Sequence, residues 1–254
     1  MDIKIRVIKK RAGNALNGNM GNAILGMLAV FAAHLAGSLL ASSLFAGTDT
    51  LSLILNQVFL FIISLIAAIV SAGMSYMYLN IARQKDYSLA DLFYFFKNQP
   101  DRVIVAAFVM ALIDLLVTIP YYYYEFTADV GETLEQQTTF MMVSLMLLLI
   151  ASALNTVLTS PFALTYYLLS ENQDMDGLTA LRQSAQLMKG NLIRFLLMLL
   201  SFVPVMLLSV FTMYIALLWI IPYMDMSRTV FYIKLLEYRE RELEEHNQWI
   251  SSQS

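Results

Sequence analysis

The chain has 254 residues, of which 59% are apolar and only 14% are charged, and its mean hydropathy is +0.64. Soluble domains carry about 25% charged residues, so this composition excludes a water-soluble globular protein and indicates a multi-pass membrane protein. The absence of cysteine excludes disulfides, thiolate metal sites, iron–sulfur clusters and cysteine nucleophiles. Composition therefore predicts location and architecture, but it points to no particular activity.

Five apolar regions, the last of them long enough for two spans, predict an all-α, polytopic transmembrane helical bundle of six spans, with one membrane domain over residues 1–240 and a polar cytoplasmic tail over 241–254. The first stretch exceeds the roughly 7 to 15 residues of a signal-peptide core and is predicted to be an uncleaved span. The last apolar region would be roughly 69 Å long as one helix, so two spans with a tight turn near 209–213 are predicted. The six predicted spans are 23–45, 51–80, 103–124, 139–169, 191–210 and 213–236.

The positions of the cations predict the orientation of these spans. The two predicted outer loops, 46–50 and 125–138, contain acids but no Lys or Arg. By the positive-inside rule both termini are then cytoplasmic, which only an even number of spans allows. All sixteen Lys and Arg residues lie in 1–22, 81–102, 170–194 and 226–254.

A short amphipathic stretch precedes each odd-numbered span and is predicted to form a cytoplasmic interfacial helix. Two of these stretches end alike, in Asn17-Gly18-Asn19 and Lys189-Gly190-Asn191. One interpretation is three repeats of an interfacial helix plus a transmembrane hairpin, and the other is a chance echo of short motifs in a biased sequence. The apolar faces comprise Ile5, Ile8, Ala12 and Ala15, then Leu89, Leu92, Phe93 and Phe96, then Leu178, Leu181, Ala185 and Met188.

Asp114 carries the charge that is most costly in a membrane span, because it lies eleven residues into the third predicted span. His34 lies eleven residues after Ala23 in the first predicted span, at about the same depth. The two residues are therefore a candidate intramembrane polar pair. One interpretation is a proton-linked or ligand-binding pair, and the other is a buried polar link that orients the helices.

Other polar residues in the spans have structural and functional interpretations. Asn56 and Asn155 are predicted to form interhelical hydrogen bonds. The motif near the inner end of the sixth span contains two residues at i, i+3 spacing, which predicts an ion pair on one helix face. A crevice at the proline kink and a plain interfacial end of the span are the alternatives. This motif consists of Pro222, Tyr223, Asp225 and Arg228.

The N-terminal cations suit anionic lipid headgroups better than nucleic acid, at about 1 kcal/mol for each cation near the membrane surface. No phosphate loop, GxGxxG, HExxH or GxSxG motif occurs in the sequence. We therefore expect no enzyme activity, no cofactor and no metal site. The predicted headgroup contacts are Lys4, Arg6, Lys9, Lys10 and Arg11.

Several segments resemble an uncharacterised family of bacterial multi-pass membrane proteins that carries a domain-of-unknown-function label. They are 16–24 at the N-terminus and 185–191, 200–202, 218–223 and 231–232 near the C-terminus. The family is in turn similar to the membrane domain of some glycerophosphodiester phosphodiesterases, which implies a membrane-embedded helical unit without an active site. The resemblance also implies a Gram-positive type of bacterium and its plasma membrane. The family's turn glycine before Leu218 is missing from Thr212-Met213-Tyr214.

Two functions are compatible with the sequence. The first is a non-enzymatic accessory or interaction protein of the plasma membrane, supporting membrane homeostasis or stress resistance. The second is a small transporter or lipid-handling protein, for which a polar cavity within the bundle is the discriminating feature. Expected partners are membrane lipids and either a membrane protein or a second copy of the chain.

Overall fold

The computed structural model describes residues 4–47 and 49–253. The residues 1–3, 48 and 254 of the predicted domain and tail lie outside the described residues. All regular structure in the described ranges is helical, which confirms the all-α prediction. The helices are α1 Ile5–Leu16, α2 Met20–Leu44, α3 Thr50–Ala82, α4 Tyr94–Lys97, α5 Pro100–Thr127, α6 Leu134–Thr159, α7 Thr165–Glu171, α8 Gly177–Met188, α9 Leu192–Leu200, α10 Val203–Leu208 and α11 Leu217–Gln253, with 3₁₀ segments at Leu89–Phe93, Ser160–Phe162 and Ser209–Thr212.

Among the described residues, five helical segments are long and apolar enough to cross a membrane. The first part of α11 is not one of them. It carries Asp225, Arg228 and Lys234, whose charges are costly in hydrocarbon. The five segments are Met20–Leu44, Leu51–Ala82, Pro100–Thr127, Leu134–Glu171 and Leu192–Thr212.

The long helices pack as antiparallel pairs. In the last pair, the ring of Phe195 lies 5.3 Å from that of Phe231, and Phe202 lies 5.4 Å from Tyr223. Residue numbers therefore rise along one helix as they fall along the other, which is the antiparallel arrangement. The same antiparallel order holds for α2 with α3 and for α5 with α6. The contacts are Phe45–Phe59 and Gly37–Ile63 in the first of these pairs, and Tyr124–Phe140 and Asp114–Asn155 in the second.

The turn into α11 lies slightly later than predicted. Helical structure continues through the 3₁₀ segment to Thr212 and resumes at Leu217, so the chain turns over 213–216. Met213 and Tyr214 both have left-handed backbones, with φ of 49° and 65°. This conformation costs roughly 1–2 kcal/mol for a residue with a side chain, which explains why glycine is favoured in such a turn.

The buried core lies at one end of the long helices, where the short helices also pack. The largest buried side chains there include Tyr78, Phe95, Phe195 and Tyr232. At the other end most apolar side chains are exposed, and Phe211 is 85% exposed. This distribution is expected of a bundle whose exposed end is covered by lipid.

The short helices direct their apolar faces into the protein. In α1, Ile8, Ala12 and Leu16 are buried, as expected of an amphipathic helix. The second predicted helix is instead a 3₁₀ segment followed by α4. Because a 3₁₀ helix has about three residues per turn, different side chains point inward. Leu92 and Phe95 are buried there, whereas Leu89, Phe93 and Phe96 are exposed.

A left-handed residue precedes the first long helix of each antiparallel pair. Gly18, Gln99 and Gly190 have φ of 81°, 53° and 80°. The turns at Gly18 and Gly190 close with the same bond, in which the N–H of the next asparagine donates over 2.9 Å to a carbonyl three residues back. This regularity is compatible with a three-fold repeat. The repeat itself stays a prediction, which superposition of the three units would test.

The fourth predicted span is interrupted at Pro161. A 3₁₀ segment separates α6 from α7, because proline removes a backbone donor and disrupts the helical bonding. Ser184 of α8 satisfies the freed groups. Its hydroxyl donates to the Pro161 carbonyl over 2.7 Å and accepts from the Leu164 N–H over 3.1 Å.

Candidate functional site

Asp114 pairs with an amide on the neighbouring helix. Its Oδ1 accepts a 2.7 Å hydrogen bond from Asn155 Nδ2, so the two predicted polar residues of α5 and α6 meet. His34 lies elsewhere, on α2, where it lines a cavity that Asp114 does not reach. The structure therefore joins Asp114 to Asn155 and separates it from His34.

Asn56 lies half-buried on α3. Within the described residues, no side-chain hydrogen bond joins Asn56 to another helix. Its predicted role as an interhelical link therefore stays a prediction.

The predicted motif of α11 is divided between two environments. Arg228 Nη1 donates to Asp225 Oδ1 over 3.2 Å, which is the i, i+3 pair that the spacing predicted. Tyr223 faces another way, and its hydroxyl donates to the Lys9 carbonyl over 3.0 Å. Pro222 is buried inside α11. The ion pair thus lies within the bundle, whereas Tyr223 anchors α1.

The N-terminal cations are of two kinds. Lys4, Arg6 and Lys10 are exposed. Lys9 is half-buried: its Nζ lies 4.0 Å from the centre of the Phe202 ring and donates to the Ser201 carbonyl over 3.2 Å. Burial lowers the pKa of the Lys9 ammonium. Lys9 therefore contacts the protein, although it was predicted to contact headgroups.

Arg11 also has a protein partner. Its Nη1 lies 2.8 Å from Glu237 Oε1, and Lys234 Nζ lies 2.6 Å from the second oxygen of that carboxylate. Burial alone would raise the pKa of Glu237, but the hydrogen bonds from Lys234 and Arg11 outweigh it and lower the pKa. This ion triad fastens α1 to α11.

A cavity of about 530 Å³ lies between α2, α3, α6, α7, α9 and α11. We call it the central cavity. Phe31 and His34 line it and are exposed, so it opens at the surface of α2. Its remaining polar lining comprises Ser71, Ser75, Tyr78, Thr156, Thr159, Ser160, Tyr166, Tyr167, Asp225 and Arg228.

Two donors at the central cavity lack a partner in the described part of the chain. The Tyr78 hydroxyl is one, and this residue is only 1% exposed. The Nε of Arg228 is the other, although its Nη1 bonds Asp225. A buried donor without a partner costs about 1–3 kcal/mol, so both atoms favour an acceptor from outside the chain.

Hydrogen bonds behind the cavity hold its wall in place. The Thr229 hydroxyl lies 3.2 Å from that of Tyr167, whose ring stacks on Tyr232 with centroids 5.2 Å apart. Tyr232 in turn donates to Glu171 over 2.5 Å, and Arg83 pairs with the same carboxylate. α3, α7 and α11 are therefore fixed relative to one another beside the cavity.

A comparison with protein families finds one matching family. Residues 3–239 match the family described as "Protein of unknown function (DUF975)". The chain belongs to the DUF975 family. No curated protein matches this DUF975 chain, and neither does any solved structure. Nothing in these comparisons supports the expected similarity to glycerophosphodiester phosphodiesterases.

Most cavity residues of this DUF975 chain could not be predicted from the sequence. Ser71 and Ser75 line the cavity with Tyr78. Their spacing of i, i+4, i+7 places three hydroxyls on one face of an apolar helix. This stripe of hydroxyls was the sequence feature from which the polar lining of the cavity could have been predicted.

The described residues of this family member contain no group of three or more His, Asp or Glu side chains placed to hold a metal ion. The polar groups of the central cavity are instead hydroxyls, one imidazole and an ion pair. These groups suit hydrogen bonding and charge recognition of an organic ligand.

Proposed function

We propose that this protein binds a small amphiphilic molecule in the central cavity and transports or handles it within the bacterial plasma membrane. The observation that carries this proposal is the pair of buried donors without partners, Tyr78 Oη and Arg228 Nε, at a polar cavity inside an apolar bundle. Polar groups are costly within a membrane and are commonly kept there for a substrate pathway or binding site.

The lining indicates the chemistry of the ligand. Both unpartnered atoms donate hydrogen bonds, and Arg228 carries a positive charge, so the ligand should present acceptor oxygens such as a carboxylate or phosphate. Apolar side chains make up much of the remaining wall and suit a hydrocarbon portion. Among them are Met27, Val30, Met74, Met110, Phe195 and Leu199.

The proposal includes six spans, with α11 as the sixth and both termini cytoplasmic. The ring contacts of Phe195 with Phe231 and of Phe202 with Tyr223 support it, because they place α11 alongside the fifth span. The Asp225–Arg228 pair lowers the cost of carrying these charges in a membrane helix.

An accessory role is the second candidate, and one observation favours it. α11 continues to Gln253, and its residues 239–245 are exposed and mostly charged. A charged helix extending from the membrane domain suits contact with a protein partner. Neither candidate requires catalysis, and we propose that the protein is not an enzyme.

Mass spectrometry of the protein gently extracted from its native membrane tests the first proposal. Wild type should retain an acid-headed amphiphile, and Tyr78→Phe should reduce its retention because the substitution removes one donor and little volume. Tyr76→Phe is the matched control, since Tyr76 lies on the same helix and stacks on Tyr94 outside the cavity.

Two results would contradict ligand binding in the cavity. One is a wild-type protein that carries no amphiphile but co-purifies with a stoichiometric protein partner, which would favour the accessory role. The other is equal retention in wild type, Tyr78→Phe and Tyr76→Phe, which would place the bound molecule elsewhere.

A further inference from the structure

A second pocket of about 530 Å³ lies outside the central cavity, between the turn that precedes α9 and the distal half of α11. We call it the basic pocket. Three cations line it: Lys189, Arg194 and Arg239. Glu242 lines it as well, so cationic side chains outnumber acidic ones in its wall.

The three cations of the basic pocket have no salt bridge to a carboxylate within 4.0 Å among the described residues. Arg194 Nη1 donates to the neutral Asn191 side chain over 3.3 Å. Positive charges that line one pocket repel one another, so an anion bound there would be stabilising.

A matching pocket elsewhere in the chain is also lined by three cations, but most of these have ion-pair partners. It lies between the turn that precedes α2 and the end of α3, and Arg11, Arg83 and Lys85 line it. Arg11 pairs with Glu237, and Arg83 pairs with Glu171. Two of its three cations thus have internal partners, whereas the basic pocket leaves all three available.

The basic pocket lies at the membrane boundary. Gly190 and Asn191 line it, and the fifth candidate span begins at the next residue, Leu192. No side chain caps the N-terminus of α9, so its first N–H groups add positive potential there. Along α9, Ile193 and Leu197 are 74% and 49% exposed and offer an apolar surface below the cations.

From this arrangement we propose that the basic pocket binds a phosphate group through Lys189, Arg194 and Arg239. The phosphate can come from the headgroup of an anionic phospholipid, whose acyl chain would lie along Ile193 and Leu197, or from free phosphate. This site is separate from the central cavity and does not depend on the function proposed for it.

Two binding measurements on the full-length protein distinguish the sources. The first counts phosphatidylglycerol molecules retained from nanodiscs, against phosphatidylcholine, by native mass spectrometry. The second records the melting temperature in lipid-depleted detergent as inorganic phosphate is added, with chloride at equal ionic strength as the reference. Retention of phosphatidylglycerol over phosphatidylcholine assigns the site to a headgroup, and stabilisation by phosphate alone assigns it to the free anion.

Arg239→Gln tests the site with little effect on folding, because Arg239 is exposed. Each cation near a membrane surface contributes about 1 kcal/mol, so affinity should fall about fivefold. Lys189→Gln together with Arg239→Gln should reduce it about thirtyfold. Lys85→Gln in the matching pocket is the control and should leave the preferred binding unchanged.

Two outcomes would overturn the proposal. If Lys85→Gln reduced binding as much as Arg239→Gln, the effect would be general surface charge. If neither phosphatidylglycerol nor phosphate bound selectively to a folded wild-type protein, the basic pocket would have no phosphate ligand.

Discussion

Asn155 Nδ2 donates a 2.7 Å hydrogen bond to Asp114 Oδ1, and this bond joins α5 to α6. Asp114→Ala removes the acceptor and leaves the Asn155 amide without its partner. We expect the free energy of unfolding to fall by about 1 kcal/mol, which is typical of interhelical hydrogen bonds in membranes. Unfolding of the purified protein in mixed detergent micelles measures this change.

Asp114→Asn is the matched control for this prediction, because it keeps an acceptor oxygen and should retain most of the stability. Neither substitution should change what the central cavity retains, since Asp114 does not line it. A loss of cavity contents in Asp114→Ala with no loss of stability would contradict the structural role.

Depth in the membrane was a poor guide to the partner of Asp114. Asp114 and His34 were predicted to lie at the same depth in the membrane. Depth alone does not identify a partner, because residues of other helices also lie at that depth. Asn155 was the better candidate, because α5 and α6 are consecutive helices joined by a short loop and therefore pack side by side. Chain connectivity was the additional information that the prediction needed.

Ser184 should stabilise the break between α6 and α7 at Pro161. Its hydroxyl bonds both the Pro161 carbonyl and the Leu164 N–H, and the residue is fully buried. Ser184→Ala leaves both backbone groups without this partner, so we expect a loss of about 1–3 kcal/mol in stability. Gln183→Ala, at an exposed position on the same helix, should change the melting temperature little. Equal melting temperatures for the two variants would refute this role.

Gly73 should tolerate no side chain, because α3 approaches the 3₁₀ segment closely at this point. A Cβ on Gly73 would lie 2.1 Å from the Leu92 carbonyl oxygen, which is backbone and cannot rotate away. We expect Gly73→Ala to cost about 1–3 kcal/mol, as overpacked cores do. Gly21→Ala is the control, since nothing lies within 4 Å of its Cβ position. Thermal unfolding of both variants measures the difference.

Five helical segments among the described residues could be predicted as candidate spans from the sequence, because they are long and apolar. Residues 51–80 and 103–124 were predicted as spans, and α3 and α5 include them. The central cavity could not be predicted in this way. Tyr78 and Arg228 are distant in sequence, and their common cavity depends on how α3 and α11 pack. No local pattern encodes that packing.

For the N-terminal helix α1, too, the sequence predicted the helix but not its packing partner. The alternation of apolar and basic residues predicted an amphipathic helix, and the structure forms α1 there with Ile8, Ala12 and Leu16 buried. The sequence pattern did not specify which part of the protein the buried face of α1 packs against. Arg11 and Tyr223 reveal the answer, because both bind α1 to α11 through contacts between the two ends of the chain.

The contact between α1 and α11 should weaken in acid. Hydrogen bonds from Lys234 and Arg11 hold the pKa of Glu237 below its ordinary value of 4.5. Because the folded-state pKa is the lower one, this contribution to stability is complete above pH 4.5 and is lost as the pH falls through the folded-state pKa. Spin labels on exposed positions of α1 and α11 should separate or become mobile below that pH.

Glu237→Gln supplies the control for this titration, because it removes the titrating group and keeps the shape of the side chain. The variant should show a weaker α1 contact at neutral pH and little further change in acid. Arg11→Gln should weaken the contact in the same way, since Arg11 is the partner of Glu237 from α1. If the labels of wild type and Glu237→Gln responded identically to acid, another group would control the docking of α1.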